Sequence, residues 1–418
     1  MQLSLFQVAS LVIALVAVFG YLNHRFIKLP DAIGITAIGL VASLAIALTG
    51  SLMPTVSQWA RHYVQAVDFS GTVFHGMLGL LLFAGSLHID LADIAREKWV
   101  IGILATVGVL LSTILVGAGL YLASQLLGLE LEFVYCLLFG ALISPTDPIA
   151  VLAVLRKIGV PKSLETRIAG ESLFNDGTGV VAFVTILGIA SAGHAGAIDT
   201  TAWLLAREVI GGVVVGLGVG LVGFALLRGV DSYPTEIMIT LAMATAGYAL
   251  AEALHTSAPI AAVVMGLLTG NQGRRLAMSE TTRQHLFSFW ELLDELLNLL
   301  LFGLIGIEIV TLSLSVSLLT IAFIAIPIVL FARLVSVAVP IAAMRALRQV
   351  SDSAIAIMTW GGLRGGISVA LALTLPPFAG RDIVIAATYA VVIFSILVQA
   401  LTIEPLVRSW RAGRDDLR

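Results

Sequence analysis

FGALISPTDPIAVLAVLRKIGVPKSLETRIAGESLFNDGTGVVAF, residues Phe139–Phe183, sets how the whole chain is read. Two apolar segments flank a short basic connection. The first carries Pro145, Asp147 and Pro148 in mid-segment, and the second carries Glu171 and Asp176. Carboxylates and helix breakers are costly at membrane depth, so they stay where they work. Three carboxylates in two adjacent apolar segments point to a site rather than to scaffold.

Composition makes these segments membrane spans. Of 418 residues, 59% are hydrophobic and only 12% charged. The mean hydropathy is +1.04. A water-soluble domain does not carry that much apolar surface. The single cysteine, Cys136, lies in an apolar run and is read as packing. A span needs about 20 apolar residues. Thirteen candidates result: 3–22, 31–50, 70–87, 99–127, 132–155, 168–192, 203–227, 235–253, 256–271, 286–309, 312–344, 353–375 and 382–407. Pro327 and Pro340 predict a kinked or tilted eleventh span.

Charge placement supports the count. The odd-numbered loops and the C-terminus hold 18 of the 23 Lys and Arg residues; the even loops hold three, Arg61, Arg207 and Arg381. The positive-inside bias then puts the C-terminus in the cytoplasm and the N-terminus outside. No basic residue precedes the first apolar run, so that run reads as a retained span and not a cleaved signal. No soluble domain fits between the spans, and nothing suggests nucleic acid or a cofactor.

Span five is broken by ISPTDP. Span twelve is broken by TWGGLRGG, Thr359–Gly366. Paired interrupted helices in two halves of a chain mark the substrate site of a secondary transporter. Prolines remove backbone donors and free carbonyls at a break. With Thr146 and Asp147 beside them, these carbonyls suit a hard cation, which takes oxygen ligands. The alternative is a proline kink with Asp147 capping the following half-helix, and both roles can hold together. On a helix, Ser172 and Asp176 share one face; Glu171 and Asn175 share the next. Arg364, inside an apolar span, needs a partner to stay buried, and Glu171 is the obvious one.

SPTDP, GESLFNDG and TWGGLRGG, in that order, resemble the sodium/proton exchangers of the bacterial and archaeal NhaP type and the animal NHE type. The resemblance covers most of the chain. It implies an all-α polytopic fold of about 13 transmembrane helices, with inverted repeats and two interrupted, crossing helices. It also implies core transport helices at 99–192 and 312–411, scaffold and dimerisation helices at 1–95, and a linker helix with further scaffold and dimerisation helices at 203–310. Carried over by motif, Asp176, Asp147, Thr146 and Ser172 are the cation- and proton-binding residues, with Asp176, Thr146 and Ser172 holding the monovalent cation. Asn175, Glu171 and Arg364 support the site, the last two as a bridge. Asn175 stands where electrogenic relatives carry an aspartate, so the sequence resembles the electroneutral subgroup. Many relatives have an acidic residue in span three, where this chain has Ala84.

The function implied is electroneutral exchange of sodium, or lithium, for protons by alternating access. It would be performed by a homodimer in a prokaryotic plasma (inner) membrane and would serve pH homeostasis. It is transport and not enzymatic catalysis. Potassium/proton exchange is the nearest alternative; a cation-coupled solute symporter, a channel and a non-transporting cation sensor are more remote. Several other patterns read as structural. Gly218, Gly220 and Gly223 match a dinucleotide-binding spacing, but no strand precedes them; Gly212, Gly216 and Gly220 have helix-packing spacing. Glu308 reads as interfacial or capped, Glu252 and His255 as solvated, and His88 and His285 as ordinary histidines. Glu291, Asp294 and Glu295 read as a polar face at the start of span ten.

Overall fold

The computed structural model describes residues 5–49, 64, 68–192, 198–311, 315–344 and 352–415. Arg61, Arg345, Arg348 and Arg418, which enter the charge count, lie outside the described residues. Helices α1 (Leu5–Leu22), α2 (Asp31–Thr49), α3 (Phe69–Leu87) and α4 (Leu91–Leu126) lead to a broken pair, α5 (Phe133–Ile143) and α6 (Ile149–Ile158). Next come α7 (Lys162–Ala192), α8 (Ile198–Arg228), α9 (Tyr233–Ala253), α10 (Ala258–Leu268), α11 (Glu280–Glu308) and α12 (Val316–Met344). A second broken pair, α13 (Asp352–Trp360) and α14 (Gly366–Leu373), precedes α15 (Arg381–Phe394) and α16 (Ala400–Asp415). α15 and α16 join through a π-helical turn at Ser395–Gln399.

Among the described residues, seven helices are at once long and apolar enough to cross a bilayer. The remaining apolar segments are short, interrupted or polar on one face. Every anticipated segment contains a helix, and several helices outrun their apolar stretch. α4 starts at Leu91, not near 99, because Asp90 caps it by accepting from the Ala92 amide at 2.7 Å. At 36 residues it is about 54 Å long, well beyond a 30 Å hydrocarbon layer. α12 runs through Pro327 and Pro340 as one helix. Gly159, at φ +72°, ends α6 in the left-handed conformation. Two residues on, Pro161 leads into α7.

Packing follows these elements. One large buried cluster joins α4 to α7 with α12 to α16 and takes in the C-terminal half of α11. Cys136 lies within it, fully buried, as expected of a packing residue. A second cluster joins α3, α9, α10 and the start of α11. A third joins α1, α2 and α11. The small-residue face of α8 lies on α10. A Cβ at Gly212 would stand 2.6 Å from the Ser257 carbonyl, and one at Gly216 2.8 Å from the Ala261 carbonyl. Gly218 faces open space. The glycine pattern of α8 is therefore a helix-packing face.

Candidate ion-binding site

The two helix breaks meet. The breaks at Thr146–Pro148 and Gly361–Gly365 pass each other through an isolated antiparallel bridge, in which the Asp147 amide donates to the Leu363 carbonyl at 2.8 Å. This antiparallel contact satisfies one backbone donor that the prolines would otherwise leave stranded. It requires close approach. A Cβ on Gly365 would lie 2.7 Å from Asp147 Oδ2, and one on Gly179 of α7 would collide with the Pro145 ring.

α7 fastens the first break. Asn175 grips Thr146 twice: its Nδ2 donates to Thr146 Oγ1 at 2.8 Å, and its Oδ1 accepts from the Thr146 amide at 3.3 Å. One turn away, the Ser172 hydroxyl donates to the Thr146 carbonyl. Both hydroxyl oxygens keep lone pairs for a cation. Asp147 Oδ1 accepts from the Ile149 amide at 3.0 Å, so it does cap α6. Asp147 also lines the cavity described below, so the cap does not remove it from the wall.

Asp176 lies one helical turn beyond Ser172. It is half-buried, faces the same cavity, and has no hydrogen-bond or ion-pair partner among the described residues. That cavity, of about 530 Å³, runs from the breaks to His88, Ile89 and Arg156, at the ends of α3 and α6. Thr146, Asp147, Ser172 and Asp176 all line it. A carboxylate without protein donors among the described residues, on a wall shared with the Thr146 and Ser172 side chains, can take either a proton or a cation. Ala84 is fully buried and is absent from this wall, so α3 supplies no oxygen at that position.

The expected bridge between Glu171 and Arg364 is not formed. Glu171 pairs instead with Arg333 of α12, in a bidentate arrangement at 2.5 and 3.1 Å. Arg333 also donates to the Met358 carbonyl at 3.0 and 3.3 Å, tying α7, α12 and α13 together. Both side chains are buried. Arg364 Nη1 donates to the Ser144 carbonyl and, at 3.0 Å, to that of Pro145. Its charge thus sits at the C-terminal end of α5, where the helix dipole is negative. The Arg364 amide donates to Ser395 Oγ at 2.8 Å. The sequence offers two intramembrane arginines for one glutamate, and nothing in its spacing ranks them.

Other expectations resolve as follows. Glu291, Asp294 and Glu295 do form one polar face, but it is turned into the cavity. His88 joins them on the wall, whereas His285 stacks on Tyr233 with ring centroids 4.5 Å apart. Glu252 pairs with His75 at 2.9 Å on an exposed surface. Glu308 is buried at the end of α11, away from the cavity.

Known proteins share this architecture. The family model described as sodium/hydrogen exchanger, transmembrane, matches residues 11–409. The Na(+)/H(+) antiporter NhaP of Pseudomonas aeruginosa is 50% identical over 407 residues, 96% of each chain. The Na(+)/H(+) antiporter NhaH of Halobacillus dabanensis is 35% identical, covering 92% of this chain and 93% of its own. The solved structure of the sodium proton antiporter MjNhaP1 from Methanocaldococcus jannaschii superposes with a TM-score of 0.73 over 96% of both chains, at 20% identity. With a match across nearly its whole length and the two interrupted helices paired in its fold, the chain belongs to the sodium/hydrogen exchanger family, the integral membrane Na+/H+ antiporters.

Proposed function

We propose that Asp176 is the carrier of an electroneutral sodium/proton exchange, and that sodium and a proton compete for it. The observation that carries this is a partnerless carboxylate on a cavity wall, beside Ser172 and the break at Thr146–Asp147. Asp147, Thr146 and Ser172 complete the oxygen shell of the transported cation. Asn175 shapes the break and adds no charge, which supports one carboxylate carrying one proton or one sodium per crossing. Lithium suits the same oxygen chemistry. Thirteen crossings, with 99–192 and 312–411 as a moving core of two inverted repeats against a dimeric scaffold, complete the reading. The basic loops put the cavity mouth in the cytoplasm of a prokaryotic inner membrane, with the N-terminus outside and the C-terminus inside.

The test is sodium-driven proton movement in proteoliposomes. Asp176→Asn keeps size and hydrogen bonding but removes the titrating charge, so exchange is abolished in a folded protein. Thr146→Ala and Ser172→Ala each remove one neutral ligand and raise the half-saturating sodium concentration while leaving turnover. Clamping the membrane voltage leaves the wild-type rate unchanged. Normal exchange by Asp176→Asn would overturn the assignment and direct attention to Asp147.

A further inference from the structure

The α11 and α14 parts of the cavity wall carry oxygens that the exchange at Asp176 does not use. Glu291, Asp294, Glu295 and Asn298 recur at helical spacing on α11, and all four line the cavity. Asn298 is 5% exposed. Its Nδ2 donates to the Asp294 carbonyl at 2.8 Å, which leaves Oδ1 without a donor among the described residues. Ser368, in the first turn of α14, is part of the same wall. Ser368 is only 1% exposed, and its hydroxyl has no hydrogen-bond partner. α11 and α14 touch here, since a Cβ on Gly366 would press into the Leu301 side chain, one turn beyond Asn298. Buried hydroxyls are almost always partnered. An unpartnered hydroxyl keeps its lone pairs free, and beside a wall rich in carboxylates those can serve a cation.

We propose that Asp294, Asn298 and Ser368 form a second binding position for the transported monovalent cation, in series with Asp176. The inference rests on the functional reading above. One carboxylate, one amide oxygen and one hydroxyl are too few to strip a sodium ion, so the ion is held partly hydrated. The charge balance favours its arrival. The cavity is lined by five carboxylates, against one arginine, Arg156, and His88. A site of this kind raises local sodium at the mouth that holds it and delivers the ion to Asp176 as the proton leaves. It lies in the open cavity, so it acts on sodium arriving from that side.

The experiment compares half-saturating sodium for exchange in vesicles of defined orientation, with sodium added on the cavity side or on the opposite side. Asp294→Asn and Ser368→Ala are each expected to raise that concentration about tenfold from the cavity side, equivalent to ~1.4 kcal/mol. Exchange persists at saturating sodium, and half-saturation from the opposite side stays near wild type. Asp294→Glu restores the cavity-side value. A merely structural role would lower the thermal midpoint or the yield without this sidedness. Unchanged half-saturation in both folded variants, or an equal shift from both sides, would overturn the second position. If Asp294→Asn does not fold, Ser368→Ala decides alone. A wild-type protein that moves no protons on sodium addition overturns the functional reading and this inference with it.

Discussion

Glu171 shows how much a single pairing decides. A buried carboxylate without its cation is strongly destabilising, by about 3–5 kcal/mol when one partner is removed. The structure assigns that cation to Arg333, so Arg333→Met is expected to lower the thermal midpoint sharply, and Glu171→Gln to do the same. The double variant should recover much of the loss, because each single change leaves the other charge stranded. The same cycle with Arg364 should show much weaker coupling to Glu171. Arg364→Met acts differently: it strips the cation from the carbonyls of Ser144 and Pro145 and loosens the break. A coupling energy for Glu171 with Arg364 as large as that with Arg333, read from thermal midpoints in detergent, would refute the pairing. That Ser172 and Asp176 share a face was legible from helical spacing, and that Thr146 stands at a helix break from the prolines beside it. The grip of Asn175 on Thr146 and the pairing of Arg333 were not. Both depend on how elements distant in sequence come to face each other.

At the scale of elements, the prolines and glycines that announced the breaks also dictate how closely those breaks approach. Gly179 is where α7 crosses Pro145, and a methyl group there has nowhere to go. Gly179→Ala is therefore expected to push α7 off the break and to depress both thermal stability and sodium affinity. Gly218→Ala on α8, where a Cβ meets nothing within 4 Å, is the matched control. In a helix interior it should gain slightly, by up to about 1 kcal/mol from propensity, without touching exchange. Thermal midpoints and half-saturating sodium for the two variants check both halves of the expectation. A silent Gly179→Ala would show that the crossing tolerates a wider separation. Element positions were legible because apolar runs betray spans. Element ends were less so, since α4, α7 and α11 continue into charged turns that lie beyond any apolar count. The tightly packed glycines of α8 show the same limit, because their spacing indicates a packing face but not that α10 lies against it.

For the whole molecule, the proposed orientation makes a prediction about which side the cavity faces. Its wall ends at His88 and Arg156, at the same end of the fold as the basic helix ends that hold Arg96 and Lys98 of α4, Lys157 of α6 and Lys162 of α7. With these basic ends on the cytoplasmic side, as the proposed orientation has them, the structure is an inward-facing state, and a residue on the wall is reached by water-soluble reagents from inside only. Ala153 of α6 lines the cavity and is exposed. The one native cysteine, Cys136, is fully buried. An Ala153→Cys variant therefore carries a single reactive thiol without further engineering. A membrane-impermeant maleimide is expected to label it in inside-out vesicles and not in right-side-out cells, with the wild type giving the low background. Alternating access adds a second expectation. Conditions that turn the core outward close this cavity, so sodium or a proton gradient that drives the cycle should change the labelling rate at Ala153→Cys. The Asp176→Asn variant should not respond to sodium in this way, because its site takes no cation. Labelling from the outside alone would invert the orientation drawn from the loop charges, while leaving the geometry of the crossed breaks intact.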